Sequence, residues 1–170
     1  MKHMKDDCSA LGEQLCQRGL RLVTAESCTA GMVAAALGDI EGCGQWLEGA
    51  FVTYTEEAKQ VMLGVPREDM QRYGLTSEAI AERMARGALR GSAASLAISN
   101  TGVAGPDDAP DGTPAGTVCF AWIFHEGDWQ TVRTATRRFS GNRQSVREQA
   151  THFSIAQALQ LLQTPRPARG

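Results

Sequence analysis

A change from a strand pattern to a helix pattern within a few residues, close to the N-terminus, restricts the fold of this chain most. Residues 20–25 form a short apolar run that predicts a buried strand. Residues 28–37 are small, apolar and rich in alanine, which predicts a helix packed closely on a sheet. Gly38 and Asp39 end this predicted helix. A strand therefore leads directly into a helix, with Ser27 at the junction.

Helical and strand-like segments alternate along the rest of the chain. Helical spacing and N-capping residues predict helices over residues 6–18, 55–63, 77–90 and 142–163. Apolar or alternating residues predict strands over residues 49–54, 96–100, 116–125 and 129–139, and the last two form a hairpin. Strands that alternate with helices and end in a hairpin indicate the α/β class, as a three-layer α/β/α sandwich with a mixed sheet.

Length and charge limit the domain organisation and the partners. A chain of 170 residues with 42% hydrophobic content predicts one domain, with a core over about residues 7–163 and a tail, residues 164–170, that frays. Nineteen acidic residues against 17 basic ones give a net charge of −2, which provides no positive surface for nucleic acid or an anionic membrane. We expect a small-molecule partner.

The cysteines and the N-terminus indicate the cellular setting. The five cysteines are widely spaced and contain no C-x-x-C pair, so neither a disulfide framework nor a zinc site is predicted. Residues 1–7 are charged and lack the apolar core of a signal peptide, and no run approaches the roughly 20 apolar residues of a membrane span. We expect a cytoplasmic protein.

Ser27, Tyr54 and Lys59 are candidate catalytic residues. Ser27 is predicted at a helix N-terminus, where unpaired backbone N–H groups stabilise an alkoxide or an oxyanion. Tyr54 ends a predicted strand, and Lys59 lies one turn into the next helix. A lysine with a lowered pKa can accept the serine proton without a histidine. The alternatives are an N-capping serine, a half-buried packing tyrosine, and a solvated lysine paired with Glu56 or Glu57.

Cys28 is a competing nucleophile, because a cysteine beside a helix N-terminus can have a lowered pKa. A thiol enzyme usually needs a histidine. The histidines are predicted in a disordered terminus (His3), near the hairpin turn (His125) and in the last helix (His152), so only His152 is even a remote partner. The alternative, which we favour, is that Cys28 is a small packed residue.

Residues 101–117 are predicted to form a loop around the substrate. Gly102, Gly105, Gly112 and Gly116 permit a close approach of the backbone to a ligand, and Thr101 offers a hydroxyl group. A turn-rich connection without a ligand explains the same glycines equally well.

Charged residues near this loop have two readings each. Asp107, Asp108 and Asp111 lack the rest of a calcium-binding loop, so a solvated acidic loop is favoured over a metal site. Arg143 and Arg147, one turn apart at the start of the last helix, can present guanidinium groups to a phosphate. Arg147 can equally pair with a surface carboxylate.

Five blocks of the sequence, in this order, resemble the CinA C-terminal domain family: AESCTAG (25–31), FVTYTEEAK (51–59), TGVAGP (101–106), PAGTV (114–118) and FSGNR (139–143). The resemblance implies an α/β/α homodimer that deamidates nicotinamide mononucleotide to nicotinic acid mononucleotide and releases ammonia, without a metal or other cofactor. It also implies that Ser27 is the nucleophile, assisted by Tyr54 and Lys59. Substrate contacts are expected at Thr29, Gly31, Thr101, Gly102, Gly105, Gly116, Thr117, Arg143 and Arg147.

Two departures from the family pattern bear on the site. Ala30 stands where the family usually has a glycine, so the turn after Ser27 is bulkier. Residues 107–113 differ from the glycine-rich, Glu-Lys-bearing loop of the family, which leaves the substrate open. The alternative functions are a non-catalytic nucleotide-binding or stress-associated partner that keeps the fold, and an amidase of another substrate. Retention of Ser27, Tyr54 and Lys59 together argues for catalysis.

Overall fold

The computed structural model describes residues 2–164 of the chain. A five-stranded sheet lies between two layers of helices. The strands are β1 (Leu22–Glu26), β2 (Leu47–Val52), β3 (Leu96–Gly102), β4 (Thr117–Glu126) and β5 (Trp129–Arg138). The helices are α1 (Lys2–Gln17), α2 (Met32–Gly38), α3 (Glu56–Leu63), α4 (Arg67–Tyr73), α5 (Glu78–Arg90) and α6 (Arg143–Gln163), and a short 3₁₀ turn (Cys43–Gln45) precedes β2.

The order of the strands places three carboxyl ends at one edge of the sheet. The order is β2-β1-β3-β4-β5, with β1 parallel to both β2 and β3, and with β4 and β5 antiparallel to their neighbours. Glu26, the last residue of β1, pairs with Val52 on one side and with Asn100 on the other. In open α/β sheets this edge is where ligands bind.

Each face of the sheet carries its own core. Helices α1, α2 and α6 pack on one face around buried residues that include Leu11, Leu37 and Trp122. Helices α3, α4 and α5 cover the other face, around Leu63 and Met84 among others. The prediction of a three-layer α/β/α sandwich with a mixed sheet is confirmed.

Local signals in the sequence located most element ends correctly. The side-chain oxygens of Thr55, Ser77 and Asn142 accept hydrogen bonds from backbone N–H groups three residues on, as N-caps of α3, α5 and α6. Strands β4 and β5 form the predicted hairpin, with Gly127 in the left-handed region at the turn. These elements depend on residues close together in sequence.

Other boundaries differ from the predictions. Helix α2 begins at Met32 rather than Cys28, because the intervening residues form a separate turn. Helix α1 begins at Lys2, so His3 is helical and not disordered. Helix α4 was not predicted at all. Of the predicted frayed tail, only Thr164 belongs to the described residues; it caps α6 by donating its N–H to the Gln160 carbonyl.

Close packing of α5 on α3 positions the helix that carries Lys59. A Cβ atom at Gly87 would lie 2.0 Å from the carbonyl oxygen of Leu63, so only glycine permits this approach. The Arg90 guanidinium donates to the same carbonyl at 3.1 Å and satisfies the end of α3. No helix in the described part of the chain combines the length and apolar character needed to cross a membrane.

Candidate active site

Residues 27–31 connect β1 to α2 through a tight turn, which places Ser27 before the helix rather than in its first turn. Ala30 has φ of 50° and Gly31 has φ of 94°, so two consecutive residues are in the left-handed region. Gly31 is the N-cap of α2. An alanine at positive φ is strained by its Cβ, and a glycine is not.

Nearly every backbone N–H of this turn has an acceptor. The N–H groups of Ser27 and Thr29 both donate to Asn100 of β3, to its carbonyl at 3.0 Å and to its side-chain oxygen at 3.2 Å. Ala30 donates to the Ser27 carbonyl at 3.2 Å. Among residues 2–164, the N–H of Cys28 has no acceptor. The one unpaired N–H of the turn therefore follows Ser27 directly.

The carboxylate of Glu26 accepts the backbone N–H groups at the N-terminus of α2. Its side chain is fully buried and accepts three backbone N–H groups, from Gly31 at 2.9 Å, Val33 at 3.1 Å and Ala34 at 2.9 Å. These are the N–H groups that the first turn of a helix leaves unpaired. The expectation that Ser27 uses the helix N-terminus is therefore wrong, because Glu26 already occupies it.

Ser27 and Lys59 are in direct contact. The Lys59 Nζ lies 3.0 Å from the Ser27 Oγ and donates to the Thr53 carbonyl at 2.8 Å. The Lys59 side chain is only 2% exposed and Ser27 is 8% exposed. Residues 32 positions apart in sequence therefore form a buried hydroxyl–amine pair.

Burial lowers the pKa of Lys59 from 10.5 to about 8, and the nearby Glu56 carboxylate opposes that change. At pH 7 a lysine with a pKa of 8 is neutral in about one molecule in ten, against roughly one in 3,000 at the ordinary value. A usable fraction of Lys59 is therefore able to accept a proton from Ser27.

The Cys28 thiol does not have the properties of a nucleophile. Burial raises its pKa to about 11, although Arg143 and Arg147 lower it in part. Its side chain is 4% exposed. The only histidine considered as its partner, His152, instead contacts Asp7 at 3.1 Å. The thiol stays protonated near neutral pH.

Tyr54 is not placed as the sequence predicted. Its side chain is 56% exposed, and its hydroxyl accepts a hydrogen bond from Arg143 rather than contacting Ser27 or Lys59. Only its carbonyl approaches the Lys59 Nζ, at 3.5 Å. The structure therefore joins the phenol to Arg143 and not to the buried amine.

Ser27 and Lys59 open onto a cavity of about 670 Å³ at the carboxyl edge of the sheet. Its wall is completed by the loop residues 74–76, 101–107 and 109–111, together with Cys28, Tyr54, Glu56, Met70 and Arg143. Thr101, Gly102 and Gly105, all predicted as substrate contacts, line this cavity. The Thr101 hydroxyl donates to the Leu75 carbonyl at 2.8 Å, so it also ties two walls together.

The two arginines, Arg143 and Arg147, make different contacts near the site. Arg143 lines the cavity and donates to the Gly105 carbonyl at 2.9 Å. Arg147 donates to the Thr29 carbonyl at 2.9 Å, and its Nε is buried without an acceptor among residues 2–164. Both guanidinium groups lower the pKa of the Cys28 thiol against the larger effect of burial.

Five predicted substrate contacts do not line this cavity. The Thr29 hydroxyl is buried between Glu26 and Asn100, and Gly31 is the N-cap of α2. Gly116 lines a neighbouring cleft of about 440 Å³, where a Cβ would lie 2.1 Å from the Phe139 carbonyl oxygen. Thr117 begins β4, and Arg147 donates to the Thr29 carbonyl. None of these residues lines the cavity around Ser27.

The acidic loop has turn-forming contacts. Asp108 accepts the N–H of Ala115 at 2.7 Å, and Asp111 accepts the N–H of Thr113 at 2.9 Å. Hydrogen bonds from the side chain and the backbone N–H of Thr113 lower the pKa of Asp111. Within residues 2–164, no group of three or more histidine, cysteine or carboxylate side chains is arranged to hold a metal ion.

Sequence reasoning missed Glu26 and Asn100. Glu26 ends β1, Asn100 lies opposite it in β3, and both organise the Ser27 turn. A signal was present, because Glu26 is a charged residue at the end of a run predicted to be a buried strand. A carboxylate in that position needs several donors, and the polar turn that follows supplies them.

Comparisons with known proteins find sequences similar to this chain over most of its length. The sequence matches the profile of the CinA C-terminal domain over residues 5–164. It is 43% identical over 145 residues to the nicotinamide-nucleotide amidohydrolase PncC of Escherichia coli (strain K12), which covers 85% of this chain and 86% of that protein. It is 42% identical to protein YdeJ of the same strain, covering 91% and 87%.

A solved structure has the same fold. The competence or damage-inducible protein from Enterobacter asburiae superposes with a TM-score of 0.89 at 38% sequence identity, covering 94% of this chain and 98% of that chain. The three-layer arrangement is thus shared with this solved protein.

Replacing Ala30 with glycine is expected to stabilise the protein by about 1 kcal/mol, because glycine removes the Cβ strain at positive φ. Ala35→Gly, on the exposed side of α2, is the matched control and is expected to cost about 1 kcal/mol. Urea unfolding measures both. Equal destabilisation by the two substitutions would contradict the strain at residue 30.

The buried amine predicts a pH-dependent stability. The folded-state pKa of Lys59, about 8, lies below the unfolded value of 10.5, so the unfolded state binds more protons between these pH values. The cost of burying the charged amine is therefore fully present below pH 8 and is relieved as the pH rises. Relative to Lys59→Met, the wild type should gain about 3 kcal/mol between pH 7 and 10.5.

Urea unfolding of both proteins at these two pH values measures this change. Lys5→Met, at an exposed position of α1, controls for the loss of a positive charge. If the difference in unfolding free energy between wild type and Lys59→Met does not change with pH, Lys59 has an ordinary pKa in the folded protein.

Proposed function

The chain belongs to the CinA C-terminal domain family, and we propose that it is a nicotinamide-nucleotide amidohydrolase that uses Ser27 as nucleophile. The reaction hydrolyses the carboxamide of nicotinamide mononucleotide to nicotinic acid mononucleotide and ammonia. One observation carries the proposed mechanism: the Lys59 Nζ lies 3.0 Å from the Ser27 Oγ in a buried site that lowers its pKa. An activated serine with an adjacent base is the arrangement that acyl transfer requires.

Acylation begins with neutral Lys59. The amine accepts the Ser27 proton while the Oγ attacks the carboxamide carbon, so a C–O bond forms and the carbonyl becomes an oxyanion. The resulting Lys59 ammonium then donates its proton to the departing nitrogen. The C–N bond breaks, ammonia leaves, and nicotinic acid mononucleotide remains as an ester of Ser27.

Hydrolysis of this ester uses the same two groups. Lys59, neutral again, accepts a proton from a water that attacks the ester carbon, and it returns the proton to the Ser27 Oγ as the C–O bond breaks. A pKa of about 8 suits both directions, because the group accepts and donates protons at similar cost near neutral pH.

The N–H of Cys28 is the favoured oxyanion donor. It is unpaired within residues 2–164 and belongs to the residue directly after the nucleophile. In other serine hydrolases with a strand-to-helix turn, the N–H in this position contributes to the oxyanion hole. A preorganised donor of this kind stabilises the developing negative charge without reorganisation.

Arg143 is proposed to bind the substrate phosphate. It lines the cavity, is held by Tyr54 and Gly105, and keeps part of its guanidinium exposed. Tyr54 is therefore assigned to positioning Arg143 rather than to proton transfer. Arg147, which donates to the Thr29 carbonyl, adds positive charge near Cys28.

The burial of Lys59 argues against the alternative of a non-catalytic nucleotide-binding protein. A buried amine with a lowered pKa costs stability at neutral pH, and a binding site gains nothing from placing it against a serine hydroxyl. The expected cytoplasmic location and homodimer rest on the sequence and the family resemblance, and both stay predictions.

Ser27→Ala is expected to lower ammonia release from nicotinamide mononucleotide by at least about a thousandfold, because the nucleophile is lost. Cys28→Ala should retain turnover within about threefold, since the backbone N–H is kept. A coupled assay for ammonia, with EDTA present, measures both, and thermal unfolding verifies that each variant is folded. Loss of activity in Cys28→Ala with activity kept in Ser27→Ala would reverse the assignment.

Arg143→Gln is expected to raise the KM for nicotinamide mononucleotide about tenfold and to change kcat by less than about threefold, because a charged hydrogen bond to phosphate is lost. For nicotinamide riboside, which has no phosphate, kcat/KM should stay nearly constant. Arg137→Gln, on the exposed part of β5, is the control. An equal loss with both substrates would place the phosphate elsewhere.

A further inference from the structure

The buried group formed by Glu26, Thr29 and Asn100 holds the turn that carries Ser27 and the Cys28 N–H. We propose that the Glu26 carboxylate is a positioning group for the proposed reaction, acting on Ser27 through Thr29 and the start of α2. This inference rests on the proposed function for its kinetic test. Glu26 touches neither Ser27 Oγ nor Lys59 in the structure, so its action is indirect.

Five donors surround the Glu26 carboxylate. One oxygen accepts from the Thr24 hydroxyl at 3.0 Å and from the N–H of Ala34 at 2.9 Å. The other accepts from the Thr29 hydroxyl at 2.6 Å and from the N–H groups of Gly31 and Val33. All its contacts are donors, so the group serves as acceptor on both oxygens at once, which an ionised carboxylate does and an amide does not.

A chain of hydrogen bonds extends from Glu26 across the turn. The Asn100 Nδ2 donates to the Thr29 hydroxyl at 2.8 Å, and this hydroxyl donates its own proton to Glu26. The Asn100 side-chain oxygen accepts the Thr29 N–H, and its carbonyl accepts the Ser27 N–H. Thr29 is therefore fixed through its hydroxyl and its N–H, and Ser27 and Cys28 lie within that fixed segment.

The turn needs this fixation because its backbone is strained. Ala30 has a positive φ that favours relaxation to another conformation. The Glu26 carboxylate opposes that relaxation because it holds the residues on both sides of Ala30. Misplacement of reacting groups by about 1 Å can reduce rates about a hundredfold. Glu26 therefore affects the rate of the chemical step, whereas substrate binding depends on Arg143 and the walls formed by residues 101–107.

Thr29 provides the sharpest test, because its side chain can be changed without creating an unpaired buried charge. Thr29→Val keeps the shape and removes the hydroxyl between Glu26 and Asn100, and Thr29→Ser restores the hydroxyl. Ser99→Ala is the matched control: it removes a buried hydroxyl of the neighbouring strand position, which donates to the Ala81 carbonyl. Glu26→Gln tests the carboxylate itself.

Two readouts are measured for these variants and for wild type and Ser27→Ala. The first is kcat and KM for nicotinamide mononucleotide. The second, which needs no substrate, is the rate at which an aryl sulfonyl fluoride modifies Ser27, followed by intact mass. In that step an Oγ–S bond forms, the S–F bond breaks, fluoride leaves and Lys59 takes the serine proton.

Thr29→Val and Glu26→Gln are expected to lower kcat and the labelling rate by about tenfold to a hundredfold, with KM within about twofold of wild type. Thr29→Ser should recover to within about threefold. Ser99→Ala should keep both rates even where its melting temperature falls as far as that of Thr29→Val.

Equal kcat and labelling rates in Thr29→Val and Ser99→Ala would show a purely structural role and overturn the inference. If wild type is labelled at Ser27 but does not hydrolyse the nucleotide, the proposed function fails while the labelling rates still decide the role of Glu26. If Ser27 is not labelled and wild type is inactive, both proposals fall.

Discussion

Two ionisable side chains are buried at the carboxyl edge of the sheet, and the rest of the site depends on how each is accommodated. Glu26 is 0% exposed and Lys59 is 2% exposed, and within the described residues neither forms an ion pair. Burying a charge costs several kcal/mol unless hydrogen bonds replace its hydration or the group becomes neutral. The chain uses the first solution for the carboxylate and the second for the amine.

These two solutions have opposite consequences. Glu26 is surrounded by donors of the adjoining turn and helix, so its burial orders the backbone around Ser27. Lys59 faces a hydroxyl and two carbonyls and lacks a carboxylate contact, so its burial remains uncompensated and appears as a lowered pKa. The first group provides rigidity, and the second provides a base at neutral pH. Neither role depends on a histidine or requires the Cys28 thiol to ionise.

The separation in sequence between two interacting residues decides whether their contact could be predicted from the sequence. The caps at Thr55, Ser77 and Asn142 act within three residues, so the starts of three helices are readable. The approach of Lys59 to Ser27 spans 32 positions; the residue types alone offer Lys59 as a possible base, and the resemblance to known sequences is what favours its pairing with Ser27. The Asn100 contacts span 71 positions, and the Arg143 contact with Tyr54 spans 89, so no local pattern reveals them. The phenol was therefore assigned to the wrong neighbour, and the carboxylate beside the serine was overlooked.

Burial alone does not determine the pKa of Lys59, because a nearby carboxylate opposes the effect of burial. Complete desolvation would lower the pKa until the amine could no longer return a proton to the leaving nitrogen or to Ser27. Glu56, in the first turn of the same helix, raises the pKa and opposes the desolvation. It lines the cavity and does not contact the Lys59 amine, so its effect acts at longer range than a hydrogen bond. The pKa of about 8 thus results from two opposed effects: burial at the β2–α3 junction lowers it, and the acidic start of α3 limits how far it falls.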